Sequence, residues 1–275
     1  MTQRWVAVPG GRLNVLDEGA GPPIVLLHAG IANLRAWDAM TPALVAAGHR
    51  VVRYDQRGFG ETVTEDVPFS NRADVVALLD ALAIGRAALV GNSRGGTVAF
   101  DTAIEFPDRV AAVIGVGAGL GGFDGGGTPL EYELIEAMDA LESADPPDPA
   151  AIADIDVRAW VDGPGQPETR VAAAVRDAVR EMDADIYRAG RVNGQPIALD
   201  PVANDRLAAL RVPVLAVAGA LDFTESAAMA RHLEANAPNA RALIWDDVAH
   251  MIGMEVPERL AEAITAFLAP LATWD

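Results

Sequence analysis

The sequence contains no cysteine and no lysine, and these two absences exclude several kinds of chemistry. Without cysteine there is no disulfide, no thiolate nucleophile, no iron–sulfur cluster and no zinc site built on thiolates. Without lysine, neither a Schiff base to a carbonyl substrate nor a phosphate loop of the Gly-Lys-Ser/Thr kind can form. No histidine pair has helical metal-ligand spacing, so we expect no metal and no cofactor.

Positive charge is also scarce, with 21 Lys+Arg against 39 Asp+Glu and a formal net charge of −18. This excess repels nucleic acid and anionic membranes, so we expect neither as a partner. The first twelve residues lack the apolar core of a signal peptide, and the longest apolar stretch, Val110–Leu120, is too short to span a bilayer. We expect a cytoplasmic protein with a small-molecule substrate, and we leave open a homodimer.

Short apolar runs alternate with helical patterns in the first half and again near the C-terminus. Strands that are apolar throughout and alternate with helices favour a parallel sheet covered on both faces. The predicted strands are Trp5–Val8, Leu13–Leu16, Ile24–His28, Val51–Tyr54, Ala87–Gly91, Val110–Gly115, Val214–Ala218 and Ala242–Trp245. The predicted helices are Leu34–Ala47, Ser70–Ile84, Arg94–Glu105, Ala227–Asn236 and Pro257–Leu268.

Between these halves the composition changes to a glycine-rich stretch, Gly119–Thr128, and one crowded with Asp, Pro and Ala, Ser143–Asp156. Helical patterns cover Glu133–Leu141 and Glu168–Met182. We therefore expect a helical cap over residues 120–205, inserted into a core formed by residues 1–119 and 206–275. Caps of this kind close over sites at the carboxyl ends of parallel strands.

One motif carries chemistry: Gly91-Asn92-Ser93-Arg94-Gly95 joins a predicted strand to a predicted helix. A turn this sharp strains the backbone of Ser93, and side chains two residues before or after it would clash. The turn lifts the serine hydroxyl clear of the sheet, next to unpaired N–H groups at the start of the helix. The motif therefore predicts that Ser93 is a nucleophile.

A serine nucleophile needs a base, and the base needs an orienting acid. Of the four histidines, only His250 lies in a loop between a late strand and the last helix. Asp222 directly follows an apolar strand and is the predicted acid, with Asp124 and Asp247 as competitors. Asp247 is too close to His250 along the chain to reach the far ring nitrogen comfortably.

Taken together, these residues and three further segments resemble the α/β-hydrolase superfamily over nearly the whole chain. The order Ser93, Asp222, His250 is the order of that superfamily. Segment 26–30 resembles its His-Gly-x oxyanion loop, with Ala29 in place of glycine, segment 54–60 its Asp-x-Arg-Gly-x-Gly turn, and segment 246–257 its His-x-x-x-x-Glu-x-Pro ending. The resemblance implies an α/β fold with a mostly parallel central sheet, helices on both faces and a helical cap.

By position, the resemblance also implies a role for each residue. Ser93 would attack a carbonyl carbon, His250 would carry the proton, and Asp222 would hold the imidazole. The backbone N–H groups of Gly30 and Arg94 would face the oxyanion, and water would hydrolyse the acyl-enzyme. The expected substrates are carboxylic esters or lactones of small, fairly apolar acids. A serine argues against haloalkane dehalogenases and epoxide hydrolases, relatives that use an aspartate there.

The expected substrate contacts lie beside the triad and in the cap. They are Ile31, Asn92, Phe223 and Met251 beside the triad, and Tyr132, Trp160 and Tyr187 from the cap. His28 is expected to hold the oxyanion loop in place. The Arg94 guanidinium could bind a substrate carboxylate, pair with a cap acid or reach solvent, and we expect an ion pair within the protein.

Two other functions stay open. Asn92 before Ser93 resembles the elbow of carbon–carbon bond hydrolases of the meta-cleavage-product kind, but the loop Gly30–Asn33 and Met251 after the base depart from that family. The same fold also serves as receptor-like small-molecule binding proteins. Repeated turnover of a chromogenic ester, lost in Ser93→Ala, would separate the enzyme from the receptor.

Overall fold

A mixed β-sheet runs through the centre of the computed structural model, which describes residues 2–187 and 191–271. Its strands are β1 (Thr2–Val8), β2 (Gly11–Gly19), β3 (Pro23–Leu27), β4 (Arg50–Tyr54), β5 (Val63–Thr64), β7 (Ala87–Asn92), β8 (Val110–Val116), β10 (Val214–Gly219) and β11 (Ala240–Trp245), while β6 (Pro68–Phe69) pairs with β9 (Gln195–Pro196). The main sheet runs β1-β2-β4-β3-β7-β8-β10-β11, with β5 paired to β2. The pairs β1–β2, β2–β4 and β2–β5 are antiparallel, and the other pairs are parallel.

Helices cover both faces of this sheet. They are α1 (Thr41–Ala46), α2 (Asn71–Ala81), α3 (Arg94–Glu105), α7 (Thr224–Asn236), α8 (Ile252–Glu255) and α9 (Pro257–Leu268), with 3₁₀ turns at Leu34–Trp37, Pro107–Arg109 and Ala203–Ala209. Successive residues of β7 point to opposite faces, so Leu89 packs in one apolar cluster and Val90 in the other. Both faces are buried, which confirms the predicted α/β architecture.

A second group of helices lies between β8 and β10 along the chain. It comprises α4 (Pro129–Glu142), α5 (Pro149–Asp156), a π-helical segment (Val157–Asp162) and α6 (Ala173–Ile186). Their apolar side chains pack on the loop after β3 and the loop after β11, with Val161 and Met182 in one buried cluster with Ala29 and Met251. These helices therefore pack on the loops that follow the carboxyl ends of β3 and β11, and they are named the cap helices. Within the predicted cap and core, residues 1, 188–190 and 272–275 lie outside the described residues.

The helix predicted over Leu34–Ala47 is wrong as one element, because a 3₁₀ turn ends at Trp37 and α1 begins at Thr41. Pro42 lies in the first turn of α1, where its missing N–H costs nothing, whereas it would break a continuous helix. In the cap, α5 was not predicted, although Asp148 caps it and Pro149 opens it.

Across residues 2–187 and 191–271 the structure contains no helix with the length and apolarity needed to cross a bilayer.

Candidate active site

The turn between β7 and α3 holds Ser93 in a strained backbone conformation. Ser93 has φ 52° and ψ −118°, a region that residues other than glycine rarely adopt, and its N–H donates to the Val116 carbonyl at 3.0 Å. A Cβ on Gly91 would lie 2.2 Å from the Gly95 oxygen, and a Cβ on Gly95 would lie 2.2 Å from the Leu27 oxygen. Both positions of the motif therefore require glycine.

A buried His250–Asp222 pair lies beside this turn. The Nδ1 atom of His250 is 2.8 Å from Oδ2 of Asp222, and Oδ1 of Asp222 accepts the Phe223 N–H at 2.7 Å. Because the carboxylate only accepts, Nδ1 carries the proton and Nε2 keeps its lone pair. Gly117, with φ +49°, leaves room for the pair, since a Cβ there would be 3.1 Å from Nδ1. Ser93, Asp222 and His250 line one cavity.

The two competing acids lie away from the imidazole. Asp124 is exposed and accepts the N–H of Gly126, while Asp247 is exposed and pairs with Arg259 at 2.7 Å. Among the acids considered from the sequence, only Asp222 contacts His250 in the part of the chain that the structure describes.

The loop that carries His250 is fixed by hydrogen bonds from several elements. The Asn92 amide donates to the His250 carbonyl at 3.2 Å and to the Val116 carbonyl at 2.8 Å, so it ties the elbow to the histidine loop. Glu255 accepts the Ala249 N–H at 3.2 Å and pairs with Arg170. The Trp160 ring lies 4.7 Å from the imidazole, and its carbonyl accepts the His250 N–H.

His28 supports the oxyanion loop as a neutral ring. Its Nε2 accepts the Gln56 N–H at 2.9 Å, which leaves Nδ1 protonated to donate to the Ala29 carbonyl at 2.8 Å. Burial lowers the pKa of His28 to about 4, with a smaller contribution from the Arg94 charge, against the raising effect of the Ala29 hydrogen bond. Within the described residues, the N–H groups of Gly30 and Arg94 donate no hydrogen bond, so both are free to face an oxyanion.

Two cavities meet at Ser93, and both include Ile135, Trp160 and His250. The apolar cavity, of about 330 Å³, extends below the cap and is also lined by Thr97, residues 117–121, Phe123, Asp222, Phe223, Glu225, Ser226 and Met229. The arginine cavity, of about 490 Å³, extends along the oxyanion loop and is also lined by Ala29, Gly30, Ile31, Phe59, Arg94, Met138, Asp139, Glu142, Asp156, Ile186, Tyr187 and Asn193. This arrangement offers separate room for the two halves of a substrate cleaved at Ser93.

Of the predicted substrate contacts, Ile31, Trp160, Tyr187 and Phe223 line these cavities. The structure does not bring the other three there. Tyr132 is 51% exposed in the first turn of α4, one turn before Ile135, the first residue of that helix to reach a cavity.

Asn92 and Met251 are buried behind the cavity walls. Asn92 uses its amide for the backbone bonds described above, and Met251 packs in the cluster beneath the cap. Asn92 precedes Ser93 and Met251 follows His250 in sequence, but both side chains point into the protein.

The expected ion pair of Arg94 is wrong. None of its guanidinium nitrogens donates to, or pairs with, a described residue, and its Nε is buried without a partner. The nearest aromatic contact is the Phe59 ring, whose centroid is 5.4 Å from the guanidinium carbon. Burial lowers the pKa of Arg94 below its ordinary value.

Sequence reasoning missed Glu131, which connects the cap to the loop of the acid. Its carboxylate accepts the Thr224 N–H at 2.7 Å and the Thr224 hydroxyl at 2.9 Å, two residues after Asp222. The same carboxylate accepts the Thr128 N–H, completing a capping box. The Thr-x-x-Glu spacing at 128–131 signals that box, whereas nothing local signals the contact across 93 residues of chain.

Comparison with known proteins places these features in a family. The model of the alpha/beta hydrolase fold matches residues 22–257. An epoxide hydrolase from Caballeronia sordidicola is 34% identical over 40% of this chain, and the match spans only about a third of that relative's length (35%). A 2-hydroxy-6-oxo-2,4-heptadienoate hydrolase from Pseudomonas putida is 30% identical, with 68% of each protein covered.

Among solved structures, Est816, an N-acyl homoserine lactone degrading enzyme, superposes with a TM-score of 0.73 at 25% identity, covering 96% of this chain and all (100%) of the other. The family match spans most of the chain and includes the elbow and the His250 loop. The chain therefore belongs to the α/β-hydrolase fold family.

Proposed function

We propose that the protein is a serine hydrolase that cleaves carboxylic esters or lactones of small substrates through an acyl-enzyme on Ser93. The observation that carries this proposal is the strained Ser93 turn beside a buried His250–Asp222 pair, with all three residues on one cavity. A nucleophile, an oriented base and free backbone donors are what acyl transfer requires.

In the proposed mechanism, Ser93 Oγ attacks the carbonyl carbon while His250 Nε2 takes the hydroxyl proton. The N–H groups of Gly30 and Arg94 stabilise the resulting oxyanion, and each such donor is typically worth about 3–4 kcal/mol. Collapse breaks the ester bond, and His250 gives its proton to the leaving alcohol oxygen. Water then attacks the acyl-enzyme with His250 again as base, releasing the acid and the Ser93 hydroxyl.

The nucleophile type supports esters and lactones over epoxides. The matched epoxide hydrolase covers only part of this chain, and the resemblance assigns that class an aspartate where this chain has Ser93. A lactone is an internal ester, so the same acyl-enzyme serves both substrates. The lactone-degrading neighbour is consistent with this choice.

The first test is turnover of 4-nitrophenyl butyrate and a short γ-lactone by wild type and Ser93→Ala. We expect Ser93→Ala to lower kcat by at least about 10³-fold, because the covalent intermediate cannot form. A fluorophosphonate should label the peptide that contains Ser93, in wild type and in the exposed-serine control Ser143→Ala. Tight ligand binding without turnover or labelling would overturn the proposal and support the receptor-like alternative.

A matched pair of acid variants tests the relay. Asp222→Asn should lower kcat by roughly 10³–10⁴-fold, because an amide cannot accept from Nδ1 and so favours the wrong tautomer. Asp247→Asn removes the same charge from an exposed residue three positions from His250, and should change kcat by less than about twofold. Equal effects of the two variants would contradict the assignment of Asp222.

A second candidate, carbon–carbon bond hydrolysis, is favoured by the 30% identical Pseudomonas putida relative. The Asn92 side chain, however, donates hydrogen bonds to the Val116 and His250 carbonyls and does not line a cavity. Turnover of a 2-hydroxy-6-oxo-2,4-dienoate at a higher kcat/KM than any ester or lactone would favour this second function.

A further inference from the structure

Arg94 differs from the arginines that are buried elsewhere in the described chain. Arg53, Arg57 and Arg72 are each at most 7% exposed, and each pairs with at least one carboxylate. Arg94 pairs with no carboxylate of the described residues, and its Nε is enclosed without a hydrogen-bond partner among them. The Arg94 side chain is half-buried, and a guanidinium nitrogen that is enclosed without a partner costs stability, so a bound group that pairs with this guanidinium would recover part of that cost.

The position of Arg94 directs this unpaired charge to the substrate. Its backbone follows Ser93, and its side chain runs beside the oxyanion loop, since a Cβ on Gly30 would lie 3.9 Å from both Cβ and Cδ of Arg94. Arg94 and Ser93 line the arginine cavity together. A group that this guanidinium binds within the arginine cavity can therefore belong to the molecule whose carbonyl reacts at Ser93, whereas a second cavity that Arg94 lines, with Asp101, does not include Ser93.

The other charges on this cavity come from the cap. Asp139 and Glu142 of α4 and Asp156 of α5 line it, yet none forms an ion pair with Arg94. Burial raises the pKa of Asp156 to about 6 and that of its neighbour Asp183 of α6 to about 9. The carboxylates of Asp139 and Glu142 repel an anion at the cap end of the cavity, so the Arg94 end is the place where one is stabilised.

We propose that the Arg94 guanidinium binds a carboxylate of the substrate, so that the preferred substrates are esters or lactones that carry a free carboxylate. This inference rests on the proposed hydrolase function and adds the charge of the substrate to it. A guanidinium presents parallel N–H donors that match a carboxylate, and a low-dielectric wall strengthens the pair. In a chain of net charge −18, such a local cation is what would make an anionic substrate acceptable.

The test compares pairs of esters that differ only in a carboxylate. One pair carries it in the acid part, 4-nitrophenyl hydrogen adipate against 4-nitrophenyl hexanoate; the other carries it in the alcohol part, 4-carboxyphenyl acetate against phenyl acetate. The readout is the ratio of kcat/KM for the anionic ester to that for its neutral partner. In at least one pair, Arg94→Gln should lower this ratio by about 10- to 100-fold, and Arg94→Lys by less.

The matched control is Arg231→Gln, which removes one exposed positive charge from α7 and should change the ratio by less than about twofold. If the ratio is the same in wild type and Arg94→Gln for both pairs, the inference is wrong while the hydrolase function stands. If no ester is turned over, the carboxylate site is tested by calorimetry, as binding of monoethyl adipate to Ser93→Ala with and without the Arg94→Gln substitution. Binding that Arg94→Gln weakens at least about tenfold supports the carboxylate site without the hydrolase; binding that is unchanged or undetectable overturns it.

Discussion

Arg57 and Arg94 are two arginines set among apolar side chains, and the protein treats them in opposite ways. Each lies over a phenylalanine ring, Arg57 over Phe69 at 4.6 Å and Arg94 over Phe59 at 5.4 Å. Arg57 donates to both carboxylate oxygens of Asp74, at 2.6 and 2.8 Å, and to two backbone carbonyls. Arg94 donates to no described residue.

This difference distinguishes an arginine that supports the fold from an arginine that lies at the candidate active site. A buried cation whose N–H groups all meet acceptors holds a turn in place. If one member of the ion pair is removed, the other is left as an uncompensated buried charge, which is strongly destabilising. Arg94 is a half-buried cation without an acceptor in the described chain, and it adds little stability to the free protein. Residues that break the rules of packing in this way are concentrated at sites of function.

The largest expected effect is on the paired arginine. Arg57→Met should lower the free energy of unfolding by about 3–5 kcal/mol, because Asp74 is left buried without its partner. Urea unfolding at pH 7 measures this loss. The double variant Arg57→Met/Asp74→Leu should recover much of it, since both charges are then removed; a double variant no more stable than the single one would show that the backbone contacts, not the charge pair, dominate.

Next in size is an acid-induced loss of stability through His28. Its pKa is about 4 in the folded protein and about 6.5 in the unfolded chain, so between these values the unfolded state binds more protons. The stabilisation is complete above pH 6.5 and falls by about 3 kcal/mol as the pH is lowered through 4. His28→Asn should flatten this part of the pH profile of unfolding. An unchanged slope in that variant would assign the acid sensitivity to other groups.

Asp183, which is buried on α6, gives the opposite pH dependence of stability. Burial, and then the neighbouring Asp156, raise the pKa of Asp183 to about 9, so its contribution is complete below pH 4 and is lost as the pH rises towards 9. Asp183→Asn removes a buried acid beside Asp156 while keeping its size, and should raise the free energy of unfolding at pH 8 by roughly 1–3 kcal/mol. Asp177→Asn, exposed on the same helix, should change it by less than about 0.5 kcal/mol; a similar gain in both variants would point to net charge alone.

The sequence was informative where the signal is local or repeated. Apolar strands alternating with helices predicted the sheet, and the Gly91-x-Ser93-x-Gly95 spacing predicted the strained turn, because both follow from the backbone alone. The pairing of Asp222 with His250 followed from the place of each residue after a late strand, and the resemblance to a known family supported it, since 28 residues separate the two. The continuous helix from Leu34 failed at Pro42, where a local rule outweighs the apolar pattern.

Side-chain direction could not be predicted. Met251 and Asn92 adjoin His250 and Ser93 in sequence, but their side chains point away from both cavities. Tyr132 is exposed on α4 and lines neither cavity. Adjacent residues of a turn or loop leave in different directions, so proximity along the chain does not give a shared cavity. The same limit explains the wrong ion pair for Arg94. The chain offers many acids to pair with, and only the fold decides that no acid among residues 2–187 and 191–271 pairs with the guanidinium.

The smallest expected effect, and the sharpest test of the comparison, is on the stability of the Arg94 variant. Arg94→Met keeps a long side chain and the backbone N–H, and removes the half-buried charge together with its contact over the Phe59 ring. It should therefore raise the free energy of unfolding by about 1 kcal/mol, which differential scanning calorimetry and urea unfolding can both detect, whereas Arg57→Met lowers it. The two variants change the free energy of unfolding in opposite directions, because removing a cation destabilises the protein only where it leaves a buried carboxylate without its partner. If Arg94→Met is destabilising by as much as Arg57→Met, the guanidinium has a partner within the protein, and the contrast between the two arginines disappears.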